Sequence, residues 1–352
     1  MRLAFVAWTP LHLINIINVY HNFYHEAQGD LFIYSEFENA EAYSRRIDEL
    51  GIFDKVVLVD YKKMGSFIER KLNLITNHNP FFSDNLSRYD EIFLQGENYF
   101  SKILFSKLHK NNPDIKMNYI EDGLGTYLNN KVFTTSKNIQ KFFALINKHS
   151  IFKKKFNSYF VYCPELLLYN VEKVTRIPKI KEESDLMGIF STIFGVEKIF
   201  IRNKCLFFDQ PLLKDGYGVD ETQIFEKIKE ILPKKKEILV KLHPRVEINR
   251  YGQNQLLNSA LPFEVLLAEN DFSNSLIISP ISTISFSPSM MFEKKVHSIL
   301  LAKLIINEFS TLPNEKKEIL ENIVLFCQKY NEVSEMKILL PANWDQLRKL
   351  VE

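Results

Sequence analysis

Two short polar islands break otherwise apolar stretches of this chain: Glu121-Asp122-Gly123 and His243-Pro244-Arg245. Each follows a run rich in β-formers, residues 116–120 and 237–242. Each is therefore expected where a strand of a parallel sheet ends and its loop begins, the usual place for ligands in an open α/β sheet. A carboxylate at the first island can take a proton from an attacking hydroxyl. An imidazole at the second can give a hydrogen bond or a proton to a departing phosphate. Gly123 permits a sharp turn that frees both acids, although the triplet also reads as an acidic turn with a capping aspartate. Pro244 stops the strand, and Lys241 and Arg245 set positive charge beside the histidine, which suits an anionic leaving group. A satisfied histidine at a strand end is the plainer alternative.

Two further groups stand downstream. Ser279-Pro280-Ile281-Ser282-Thr283 precedes a helical run at 285–292. Hydroxyls and free amides there can cradle a phosphate or simply cap the helix. Glu264, in Pro262-Phe263-Glu264, lies between the histidine and the hydroxyl pair, where a carboxylate can hold a ribose. Taken alone, the motif reads rather as a solvated acid at a helix start. His21 and His25 are spaced i,i+4 without an evident third ligand, and neither Asp-x-Asp nor His-Glu-x-x-His occurs, so no metal is expected.

The elements that must carry these residues alternate. Strand patterns at 3–8, 31–35, 55–60, 91–94 and 116–120 are separated by helical patterns at 11–26, 39–50, 65–75 and 99–109. A charged stretch with Pro178, 175–187, reads as a hinge. The pattern then resumes with strands 204–208, 237–242, 276–279 and 296–300 and helices 220–232 and 285–292. This β-α repetition predicts two α/β units with mostly parallel sheets. Two Rossmann-like domains facing a central cleft form the GT-B plan of many glycosyltransferases. The expected boundaries are 1–178, 190–335 and a helical C-terminal tail, 336–352, packing back on the first domain.

Composition agrees. A length of 352 residues suits two domains. With 46% hydrophobic and 25% charged residues, the chain is globular rather than disordered. A net charge of +2 excludes a general nucleic-acid footprint. Only 11 glycines argue against glycine-rich phosphate loops, and three scattered cysteines support neither a zinc knuckle nor a disulfide framework. The apolar stretch 3–19 is broken by Thr9-Pro10, His12, Asn15 and Asn18, and so reads as strand, turn and helix rather than a signal peptide. A cytoplasmic setting is expected.

Taken in order, Glu121-Asp122-Gly123, His243-Pro244, Pro262-Phe263-Glu264 and Ser282-Thr283 resemble the motif set of bacterial sialyltransferases. The resemblance is to the lipooligosaccharide and capsule enzymes of glycosyltransferase family 52 and the related polysialyltransferases. Trp8-Thr9-Pro10-Leu11-His12-Leu13 resembles their N-terminal Thr-Pro-x-(Gln/His)-Leu turn, and Phe208-Asp209-Gln210-Pro211-Leu212 their Gln-Pro-Leu segment. The resemblance runs from the first strand to about residue 290.

It implies a metal-independent GT-B enzyme, without cofactor, that uses CMP-sialic acid and inverts the anomeric carbon. Glu121 or Asp122 would be the base. His243, beside Pro244, would assist departure of CMP. Ser282 and Thr283 would bind its phosphate, Glu264 the ribose, and Thr9 would lie beside the donor. Ser282-Thr283 departs from a frequent Ser-Ser pair but keeps its hydroxyls. In some relatives the working carboxylate lies early in the second domain, so Asp209 and Asp215 stay in play, with Gln210, Lys241 and Arg245 as nearby contacts. The implied partners are a nucleotide-sugar donor and a capsular or lipid-linked glycan acceptor. Residues 137–156 mix lysines with an apolar stripe, which suits peripheral docking at the inner face of the plasma membrane or an ordinary core-facing helix. A homodimer is left open. The competing readings are a GT-B transferase for a UDP-hexose or CMP-Kdo, and a non-catalytic glycan-binding module.

Overall fold

The computed structural model describes residues 1–76, 78–82, 86–96, 98–128, 156–234, 236–243, 245–246, 248–252, 256–257, 259 and 261–352. The chain divides into two units, Met1–Pro178 with Ser184–Gly195, and Lys179–Glu183 with Val196–Glu352. The first unit's main segment ends at Pro178, and the segment after the hinge returns to that unit before the chain enters the second for good.

The first unit holds a seven-stranded parallel sheet: β1 (Arg2–Ala7), β2 (Gln28–Tyr34), β3 (Lys55–Val59), β4 (Glu91–Leu94), β5 (Lys116–Ile120), β6 (Ser158–Val161) and β7 (Val174–Arg176), in the order β3-β2-β1-β4-β5-β6-β7. Its helices are α1 (Pro10–Phe23), α2 (Ala40–Glu49), α3 (Phe67–Thr76), α4 (Tyr99–Asn111), α5 (Gly125–Leu128) and α6 (Asp185–Phe194). Strands β1 and β2 are buried on both faces, as a parallel sheet covered by helices requires. The abundant phenylalanines fill the layers. Phe5 stacks on Phe93 with centroids 4.5 Å apart, while Phe32, Phe100 and Phe105 join Tyr34 and Met117 in a core against α4. Each fully buried ring contributes roughly 1.5–3 kcal/mol.

Helix α1 begins as its sequence dictates, with Pro10 in the first turn and Thr9 as N-cap. It is buried along most of its length, and its interior polar residues are His12, Asn15 and Asn18. Spaced three apart, these form one stripe that must find partners inside the protein.

The second unit has a five-stranded parallel sheet: β8 (Cys205–Phe208), β9 (Ile238–Lys241), β10 (Leu276–Ser279), β11 (His297–Leu300) and β12 (Ile338–Leu339), in the order β12-β11-β10-β8-β9. Its helices are α7 (Glu221–Ile231), α8 (Phe263–Glu269), α9 (Ser287–Met290), α10 (Ala302–Glu308), α11 (Asn314–Val333) and α12 (Trp344–Val351). The C-terminal tail differs from expectation. β12 pairs with β11, α12 packs on α7, and the Lys227 ammonium sits 4.7 Å above the Trp344 ring, so the tail belongs to the second unit. The strands β6, β7 and β12 are not evident from the sequence pattern. All three are short, and β7 and β12 are edges. Among the described residues, no helix is long and apolar enough to cross a membrane.

Candidate functional site

Strand order in the first unit reverses between β1 and β4, the position where open α/β sheets gather ligands beyond their carboxyl ends. The loops there carry Trp8-Thr9 after β1, Gln95-Gly96 after β4 and Glu121-Asp122 after β5. Thr9 Oγ1 accepts the His12 amide at 3.2 Å, so the threonine expected beside the donor works first as a helix cap. The capped turn carries the His12 ring back over Trp8, edge to face, with centroids 4.4 Å apart. The Trp8 amide donates to His12 Nδ1 at 3.3 Å, and Nε2 lies 2.6 Å from Asp122 Oδ1. Gln95 Nε2 donates to the His12 carbonyl at 3.1 Å. Gly96, at φ +151°, closes the group: a Cβ there would stand 3.1 Å from the Trp8 ring and 3.6 Å from Asp122 Oδ2.

The adjacent acids are sorted by the strand end. The Asp122 side chain is 43% exposed, whereas Glu121 is 2% exposed. Glu121 Oε2 accepts the Tyr127 hydroxyl and, at 2.9 Å, the Tyr162 amide. Its carbonyl accepts Asn15 Nδ2 at 2.9 Å. Burial pushes the Glu121 carboxyl up to about 7, against the pull of those two hydrogen bonds, with the Asp122 charge adding to the rise. Glu121 therefore does not meet solvent, and of the two acids named as base only Asp122 can meet a substrate without rearrangement.

In the second unit the order reverses between β8 and β10. Asp209 and Gln210 follow β8, His243 follows β9, and Ser279–Thr283 follow β10. His243 Nδ1 accepts the Arg245 amide at 3.1 Å, which leaves the proton on Nε2. Burial, then the Arg245 charge, lowers the imidazole to about 4, opposed by Asp215. Arg245 is clamped to Asp215 by two bonds of 2.8 and 2.7 Å. Ser279 and Ser285 share a hydroxyl hydrogen bond of 2.8 Å, and Ser282 Oγ accepts the Ile284 amide at 3.3 Å, capping the turn that begins at the half-buried Thr283. Lys241 reaches the Ser259 carbonyl.

The remaining carboxylates lie deeper. Asp209 is 2% exposed. Its Oδ1 accepts the Tyr251 hydroxyl at 2.8 Å, and burial raises its carboxyl. Asp215 is held by Arg245, as above. Glu264 is buried in the first turn of α8, where burial raises its carboxyl while its own amide, the Ser287 hydroxyl and the Lys241 charge favour ionisation. Pro244 lies outside the described residues, as do 137–155 of the basic apolar stretch. Among the described residues no cluster of three or more His, Cys, Asp or Glu side chains could hold a metal ion. His12, Gln95 and Gly96 are not among the expected site residues. For His12 two signals exist, its place in the Thr-Pro-x-(Gln/His)-Leu turn and the polar stripe His12-Asn15-Asn18 in an otherwise apolar helix.

Residues 3–299 match the alpha-2,8-polysialyltransferase family. No curated protein matches the chain. Among solved structures, the chain is similar to an alpha/beta-galactoside alpha-2,3-sialyltransferase from Photobacterium phosphoreum, with a TM-score of 0.50 and 11% identity, covering 96% of this chain and 98% of that one. It is also similar to a protein described as a UDP-N-acetylglucosamine 2-epimerase from Listeria monocytogenes, with a TM-score of 0.51 and 12% identity over 99% and 86% of the two chains. At these identities the likenesses concern the fold, an α/β fold of the GT-B class. The family match bears out the sialyltransferase resemblance and places the enzyme among glycosyltransferases. The chain belongs to the alpha-2,8-polysialyltransferase family.

Proposed function

We propose that the enzyme transfers sialic acid from CMP-sialic acid to a hydroxyl of a bacterial surface glycan, capsular or lipid-linked, with inversion at the anomeric carbon and without a metal. The observation that carries this reading is Asp122, a solvent-reaching carboxylate held by a buried imidazole at the carboxyl edge of the first sheet. Asp122 takes the proton of the acceptor hydroxyl. The oxygen of that hydroxyl bonds to the anomeric carbon as the bond from that carbon to the CMP phosphate oxygen breaks. The departing phosphate gains charge, and the neutral His243 meets it with its Nε2–H, supported by the Ser282 and Thr283 hydroxyls. Because His243 is lowered to about 4, it acts at neutral pH as a hydrogen-bond donor rather than as an acid. The family description makes an α-2,8-linked sialic acid the first product to look for.

The test is a donor-release and transfer assay with CMP-sialic acid beside CMP-Kdo and UDP-hexoses, using a sialylated oligosaccharide as acceptor and NMR of the product. Support requires transfer from CMP-sialic acid, a product with the anomeric configuration opposite to the donor's, and full activity in chelator. Turnover of UDP-glucose alone rejects the reading. Glycan binding without turnover of any nucleotide sugar favours a non-catalytic module instead.

A further inference from the structure

The geometry points to His12 as the positioning residue of the reaction: a tautomer-locked imidazole that holds one oxygen of Asp122 and aims the other at the substrate. This rests on the reading of Asp122 as base.

The ring's surroundings fix its chemistry. His12 is wholly buried. Its Nδ1 already accepts an N–H, from Trp8 at 3.3 Å. A nitrogen that accepts cannot carry the ring proton, so that proton is on Nε2, and Nε2 faces Asp122 Oδ1 at 2.6 Å. The Trp8 indole packs edge-on against the ring, Thr9 fixes the His12 amide and Gln95 fixes its carbonyl. Backbone and ring are thus both held, and a flipped ring would turn a carbon toward the Trp8 amide.

Two consequences follow. First, Nδ1 is occupied and buried, so a proton taken up by Asp122 has no onward path through the ring. His12 orients Asp122 and does not relay protons. Second, Oδ1 is engaged, while Oδ2 receives no hydrogen bond among the described residues and lies on the side kept open by Gly96. The substrate hydroxyl is then met by Oδ2.

This assigns a specific requirement: a neutral N–H donor at the Nε2 position. Glutamine supplies one at the same distance along the side chain. Asparagine keeps the group nearer the backbone that can accept from Trp8 but falls short of Asp122. Asparagine removes one methylene more than glutamine does, so kcat is compared only between folded variants, and the ring tautomer is read separately as a signal that packing alone does not move.

The experiment compares His12→Gln and His12→Asn for kcat and KM with CMP-sialic acid, checks folding by circular dichroism, and runs Asp122→Asn alongside. His12→Gln is expected to stay within a few-fold of wild type. His12→Asn is expected to lose about 100-fold in kcat at unchanged donor KM, the loss expected when a reacting group is misplaced by about an ångström. Equal activity in both variants overturns the proposal. Equal loss in both, with folding intact, also overturns it, because it would mean the imidazole itself moves protons. Independently of activity, ¹⁵N NMR of histidine-labelled protein, assigned by difference with His12→Gln, should show His12 protonated at Nε2 and bare at Nδ1. A ring protonated at Nδ1, or averaging between tautomers, refutes the lock whatever Asp122 does. Retained activity in Asp122→Asn would instead reject Asp122 as base while the NMR result stood.

Discussion

The two neighbouring acids, Glu121 and Asp122, should separate cleanly into a stability role and a chemical role, and each can be removed with one atom changed. Glu121 is closed off by Tyr127 and Tyr162, and its carboxyl is pushed up to about 7 from an ordinary 4.5. A group with a raised pKa in the folded state binds its proton more tightly there than in the unfolded chain. Its contribution to folding is therefore complete below pH 4.5 and is lost as the pH climbs through 7. At about 1.4 kcal/mol per pH unit, that interval corresponds to roughly 3 kcal/mol, most of it between pH 5 and 7.5. Glu121→Gln cannot ionise and lacks this dependence. Its own hydrogen-bond mismatch, about 1–3 kcal/mol, is nearly constant with pH. Urea denaturation of wild type and Glu121→Gln at several pH values from 5 to 8 should give a stability difference that shifts by roughly 3 kcal/mol in favour of the variant as the pH rises. Other titrating groups are shared by both proteins and cancel. Where folded, Glu121→Gln should transfer sialic acid within a few-fold of wild type. Asp122→Asn keeps an oxygen for His12 Nε2 but no proton acceptor for the substrate, and should lose about 10²–10⁴-fold in kcat. Parallel stability curves for wild type and Glu121→Gln would refute the burial argument. A folded Glu121→Gln as inactive as Asp122→Asn would refute the division of labour.

Three further outcomes are expected. His243→Ala should lower kcat/KM for CMP-sialic acid by about 100-fold, and the factor should be constant from pH 6 to 8 because the ring, lowered to about 4, is neutral throughout; a loss that shrinks as the pH rises would mean it acts as an acid. Gly96→Ala places a side chain at φ +151° and 3.1 Å from the Trp8 ring, so it should destabilise by about 1–3 kcal/mol in thermal unfolding and reduce kcat by displacing Trp8; an unchanged melting temperature would show that the loop adapts. Tyr251→Phe removes the hydroxyl bound to the buried Asp209 carboxylate, leaving it the His243 amide and Arg250 at 3.8 Å, and should cost about 1–3 kcal/mol in urea; a change of only a few tenths would mean that Arg250 or water replaces the bond.

Much of this arrangement is legible in the amino-acid order, and the parts that are not share one physical cause: they depend on partners distant along the chain. Runs of β-formers mark the inner strands of both sheets because parallel strands covered on two faces have to be apolar along their length. The polar islands after β5, β9 and β10 then have to fall at carboxyl ends. Which of two adjacent acids faces out is not legible, because it depends on Tyr127 and on the Tyr162 amide, 41 residues away in the sequence. The placement of the tail escapes for a related reason. Residues 344–351 form an amphipathic helix that fits any apolar surface, and its place is set by distant partners, the pairing of β12 with β11 and the packing of α12 on α7. His12 is legible as part of the N-terminal Thr-Pro-x-(Gln/His)-Leu turn, but its role is not, because its helix reads as core. Yet a helix buried nearly all round cannot carry His12, Asn15 and Asn18 unpaired. Asn18 meets Tyr162 and the Pro178 carbonyl, Asn15 meets the Glu121 carbonyl and Tyr162, and His12 meets Asp122. The stripe thus fastens α1 to β5 and β6 and ends at the one acid of the pair left facing solvent. The same burial that makes the helix read as structural seats its first polar side chain between the Trp8 amide and Asp122, and so fixes the geometry of the proposed base.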